Sequence, residues 1–90
     1  MSRSEELERF HAIHNVVNSL RVLRAELMKE VASCDEDSKQ LVLHDSHYAE
    51  KSQLIASRQW SLIDEAEMID REIRYRLATA EYIMENLPER

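Results

Sequence analysis

Glu8-Arg9-Phe10-His11 is the stretch of this chain whose spacing comes nearest to metal chemistry. A glutamate and a histidine at i and i+3 project from one helical face, as they do in di-iron carboxylate bundles. His14 stands one turn further on, and His44, His47 and Glu50 would share a face of a second helix. Glu8, His11, His14, His44, His47 and Glu50 together would make a metal-binding or ferroxidase-like helical mini-bundle. Two features weigh against it. Such a site needs acidic side chains at interior positions of several helices, and the matching positions here are apolar, Ser or Gln. Glu-x-x-His also arises easily by chance in a chain with 18 acidic residues. The metal set is the second reading, and no cofactor is expected.

Other catalytic chemistry has less support. With no glycine in 90 residues there is no loop to cradle a phosphate, and no Ser-His-Asp arrangement suggests acyl transfer. Cys34 is the single cysteine, so it forms no disulfide within the chain. At the start of a second helix the dipole would favour its thiolate, and the neighbouring Asp35, Glu36 and Asp37 would oppose it. A structural cysteine is expected, and the chain is read as no enzyme.

What remains is the scaffold. Glycine supplies the positive-φ positions of tight turns and proline punctuates loops; here glycine is absent and the only proline is Pro88. A chain so composed turns chiefly by ending one helix and starting another, so residues 1–90 are expected to form a single all-α domain. The net charge is −6, with 12 basic and 18 acidic residues and no basic stripe, which removes the electrostatic footprint for nucleic acid and for anionic lipid. An RNA-binding dimer would need a basic face the chain does not show. No apolar run marks a leader or a membrane span, and the cytoplasm is the expected location.

Two helices are legible. Ser4 is a candidate cap for the first, with Glu5, Glu6 and Glu8 at the positive end of its dipole. Phe10, Ile13, Val17, Leu20, Leu27 and Val31 then recur in alternating steps of three and four, with Arg24 completing the heptad seam. This predicts a helix over about 5–33. Ser33 to Ser38 lacks a large apolar residue and carries capping candidates with acids, which predicts a turn over 34–37. The seam resumes at Leu41, Tyr48, Ile55, Leu62, Ala66, Ile69, Ile73, Leu77, Ala80, Met84 and Leu87, with Asp45, Ser52 and Gln59 as polar members. A long or bent helix over about 38–87 follows, ended by Asn86-Leu87-Pro88.

A turn near residue 36 would put Val31 against Leu41, Arg24 against Tyr48, Val17 against Ile55 and Phe10 against Leu62. The result is an antiparallel helical hairpin with an overhang beyond residue 66, expected to pair as a homodimeric helical bundle. The alternative is a three-helix bundle with a break near 57–61, where Ser61 precedes Asp64 and Glu65.

Arg24 and Asp45 are candidates for an ion pair that sets the register, unless Arg24 packs its stem and sends the guanidinium to water. Met68, Tyr75 and Tyr82 recur every seven residues, and Tyr75 lies about 200° round the helix from Ile73, away from the seam. Trp60, Ile63 and Ile83 widen the apolar surface. Methionine and aromatic residues are enriched at interfaces, so Trp60, Met68, Tyr75 and Tyr82 are the candidate partner-binding residues. The functional expectation is a non-enzymatic protein–protein interaction module: a small acidic regulator, inhibitor, chaperone or antitoxin-like, that binds a larger protein.

Overall fold

The computed structural model describes residues 2–41 and 45–89. It is an antiparallel hairpin of two helices, α1 (Arg3–Lys39) and α2 (Tyr48–Glu85), and the described residues contain no strand. The helices have 37 and 38 residues, about 56 Å each at 1.5 Å per residue, and lie side by side in a rod of 72 × 14 × 13 Å. Among the described residues none adopts a positive φ, in line with a chain that has no glycine.

The start of α1 lies slightly earlier than expected. Ser2, rather than Ser4, is the cap: its Oγ accepts from the Glu5 amide at 3.2 Å and donates to the Glu5 carboxylate at 3.2 Å. Ser2 thereby satisfies one of the unpaired amides of the first turn. The larger difference is at the other end. Residues 34–37 are helical, and α1 runs on to Lys39. Cys34 explains this, because it extends the seam beyond Val31 and is only 2% exposed, packed in one cluster with Leu27, Val31, Leu62 and Ala66. A small, soft apolar side chain there is worth burying. Asp35 is also held, its Oδ1 accepting from Gln59 Nε2 at 2.6 Å.

The entry to α2 is organised by Asp45. Its backbone carbonyl accepts from the Tyr48 amide at 3.1 Å, its Oδ1 from the His47 amide at 2.8 Å, and its Oδ2 faces Lys51 Nζ at 2.7 Å. The lysine and the amide hold the Asp45 carboxyl below its ordinary pKa. No break occurs near 57–61: α2 is continuous from Tyr48 to Glu85, so the three-helix alternative falls. Asn86 closes the helix, its amide and its Nδ2 both donating to the Tyr82 carbonyl.

Moving the turn changes which residues meet. Leu62 packs with Leu27, Val31 and Cys34, not with Phe10. Gln59 reaches Val31 and Asp35, Arg24 reaches Asp70, and Arg3 donates to the Pro88 carbonyl at 3.3 Å. The two helices are therefore nearly matched in length, and the overhang beyond residue 66 disappears because α1 covers it.

The heptad itself holds. Val17, Leu27, Val31 and Cys34 of α1 and Leu62, Ala66, Ile73, Ala80 and Ile83 of α2 are buried, with Phe10, Leu20, Tyr48, Ile55, Gln59 and Ile69 half-buried between them. Near the end of α2 the seam passes through Ile83, 3% exposed, and Met84 is turned outward at 44%. Alternating steps of three and four from Ile73 lead through Arg76 and Ala80 to Ile83, which is why the buried residue is one position earlier than expected.

Two helices enclose only a line of side chains. The accessible surface is 6996 Å² for a chain of 10.6 kDa. A compact monomer of that mass exposes about 5,500 Å². The surplus, about 1,500 Å², measures how far this shape is from globular.

Candidate protein-docking surface

Trp60, Met68, Tyr75 and Tyr82 are between 65% and 70% exposed, although α1 covers the seam of α2 along its length. Their spacing divides them. Met68, Tyr75 and Tyr82 form a line along α2, whereas Trp60 lies roughly 80° round the helix from Met68. The α2 line belongs to one long side of the hairpin. A shallow groove there is lined by Arg9, Ala12 and Ile13 of α1 with Tyr75, Arg76 and Thr79 of α2.

Arg9 is the first of a series, Arg9, Val16, Leu23 and Glu30, that recurs by sevens on the same flank of α1. Val16 and Leu23 are exposed, and with Asn15, Ser19 and half-buried Leu20 they line a second shallow groove. The heptad seam does not mark Val16 and Leu23, which lie beside it. Their signal is an apolar pair seven residues apart.

The opposite flank carries the cross-helix polar contacts of Arg24 with Asp70 and of Gln59 with Asp35. Met28 is seven residues before Asp35, and Ile63 seven before Asp70, so this flank also carries Met28 and Ile63, with Trp60 at its edge. The hairpin thus presents two apolar surfaces on opposite sides, the Val16–Leu23–Met68–Tyr75–Tyr82 side being the larger.

The expected ion pair between Arg24 and Asp45 does not form. Arg24 Nε lies 2.7 Å from Asp70 Oδ1, and Asp45 is engaged by Lys51 at the mouth of α2. The later turn is the cause, since it puts Asp45 beyond the end of α1. The Arg24 contact is a charge pairing and not a well-formed hydrogen bond: Nε is buried, and its N–H finds no acceptor at an acceptable angle. With the two side chains 42% and 37% exposed, solvent screens the attraction. On α2 itself, Glu72 and Arg76, four residues apart, pair at 2.7 Å.

The histidines are kept apart. The Phe10 ring contacts both His11 and His14, at centroid distances of 5.6 Å and 4.5 Å, near the Arg3 end of the rod. His47 lies at the other end beside Glu50, Nδ1 to Oε2 3.5 Å. His44 falls outside the described residues. The 26 helical residues from His14 to Lys39 already span about 38 Å, so Glu8, His11 and His14 do not meet His47 and Glu50 within one hairpin. Among the described residues no group of three or more His, Cys, Asp or Glu is placed to hold a metal ion.

No described helix is long and apolar enough to cross a membrane. Comparison with protein-family models, with curated proteins and with solved structures finds no match.

Proposed function

We propose that this chain is a non-enzymatic protein–protein interaction module, a small acidic helical regulator that acts by binding a larger protein as an inhibitor, a chaperone or an antitoxin does. One observation carries the reading. Four large side chains of interface-favoured type, Trp60, Met68, Tyr75 and Tyr82, stand 65–70% exposed on a helix whose seam is already occupied. Such residues supply most of the binding energy when a partner desolvates them. The open, shallow grooves also favour a protein surface over a small molecule, which is usually taken up in a deep cleft. The cytoplasm is the proposed setting, in keeping with one unpaired thiol.

The test is affinity capture of the intact chain from its native host, with Trp60→Ala and the Tyr75→Ala/Tyr82→Ala pair alongside. The protein recovered in stoichiometric amount with the wild type should fall by about tenfold or more with at least one variant, for a loss of 1.4 kcal/mol or more. Circular dichroism should show helix content unchanged, because all three side chains are exposed. Equal recovery with every variant refutes the reading.

A further inference from the structure

We infer that the Val16–Leu23–Met68–Tyr75–Tyr82 side is covered by a second copy of this chain, docked end for end about a twofold axis to make a four-helix bundle. The inference rests on reading the exposed apolar side chains as an association surface. It goes further by naming the occupant of one side and leaving the Trp60 side for the larger partner.

Three features of the molecule select a second copy. The first is the order of charges on α1. Arg9, Val16, Leu23 and Glu30, seven residues apart, read basic, apolar, apolar, acidic. Place a twofold axis across α1 midway between Val16 and Leu23. Arg9 of one copy then faces Glu30 of the other, Val16 faces Leu23, and symmetry supplies each relation twice. Arg9 also meets Glu6 on its own helix at 3.1 Å, so the Glu30 carboxylate of the second copy shares a guanidinium that Glu6 already holds.

The second feature is that α2 obeys the same axis. The Arg24–Asp70 contact fixes the stagger of the helices and puts the middle of the α1 series level with about residue 74 of α2. The axis therefore passes close to Tyr75. The two Tyr75 rings approach each other, and Met68 lies opposite Tyr82 of the second copy. Glu72, next to this line, is held by Arg76 at 2.7 Å, so it brings no uncompensated charge to the junction.

The third feature is area. The patch from Arg9 to Glu30 is about 32 Å long and about 20 Å wide across two helices, roughly 600 Å² in plan and more once its corrugation is counted. A stable interface buries about 800 Å² on each partner. The surplus exposed surface of about 1,500 Å² per chain accommodates that burial and brings the hairpin toward the surface of a compact protein.

Sedimentation equilibrium of the untagged full chain tests this. Between about 1 and 500 µM the mass should move from 10.6 kDa toward twice that value. Arg9→Glu should weaken the dimer about tenfold, since two symmetry-related attractions become repulsions. Glu30→Arg should do the same, and the double exchange should restore the affinity to within about threefold. A monomer throughout that range overturns the inference, and so does a double exchange no better than the singles. Neither result touches the capture experiment, whose decisive variant on the far side is Trp60→Ala; loss of capture with an intact dimer would separate the two surfaces.

Discussion

Arg24 is the residue whose replacement most directly tests the account of this seam. It occupies an interior heptad position between Leu20 and Leu27, and among the described residues its cross-helix compensation is Asp70 at 2.7 Å. Both side chains are more than a third exposed, so the attraction is screened, and the buried Nε lacks a properly directed acceptor. The pair is then worth about 0.5 kcal/mol. Methionine at the same position keeps the stem, needs no acceptor and recovers about half of a full apolar burial, about 1–1.5 kcal/mol. Arg24→Met should therefore stabilise the hairpin by about 0.5–1 kcal/mol and raise Tm by about 2–8 °C for a domain of this size. Urea and thermal unfolding followed by circular dichroism, at low micromolar concentration to limit self-association, measure both. Asp70→Asn and the double variant complete the cycle, whose coupling should be about 0.5 kcal/mol. Arg24→Met destabilising by more than about 1 kcal/mol would refute the reasoning, for it would mean that the ion pair outweighs the seam.

Cys34→Ser should cost about 1–3 kcal/mol in urea unfolding, because a hydroxyl would replace a thiol packed with Leu27, Val31 and Leu62. In the native protein a thiol reagent should modify Cys34 only as fast as the hairpin opens, which a rise in rate with added urea would report. Asp37→Lys should raise stability by about 0.3–1 kcal/mol, since an acid in the last turns of α1 opposes the helix dipole and a base supports it; high salt should erase the gain. Asp45 titrates low because Lys51 and the His47 amide favour its carboxylate. The stability it lends to the start of α2 is thus fully present above the ordinary aspartate pKa of about 3.9 and is lost as pH falls through the lowered value. Nuclear magnetic resonance titration should find Asp45 below that value in the wild type and nearer to it in Lys51→Ala.

The heptads were legible because burial follows them almost residue by residue, from Phe10 to Cys34 and from Tyr48 to Ala80. The turn was not. Ser33 to Ser38 resembles the start of a helix, with hydroxyls and acids in the right order, and only the burial of Cys34 reveals that the first helix passes through it. A heptad seam reads the same wherever the chain folds back, so an error of several residues in the turn leaves both seams intact and changes every cross-helix partner. Arg24 thereby exchanged an expected neighbour near Asp45 for Asp70, and Phe10 lost Leu62. The exposed line of Met68, Tyr75 and Tyr82 survived that shift because it depends on the phase of α2 alone. Its continuation through Val16 and Leu23 depends on the stagger, which is a property of the folded hairpin.

The hydrogen bond from Arg3 to the Pro88 carbonyl has a practical corollary for anyone handling this molecule. Arg3 and Pro88 meet at one pole of the rod, while Gln40 and His47 mark the other, across an extent of 72 Å. Tethered by either terminus, or by both at once, the hairpin stands upright like a bristle and keeps its long sides clear of the support. An immobilised format of that kind leaves both apolar flanks accessible, and a dye at each end would report opening of the hairpin by a loss of energy transfer.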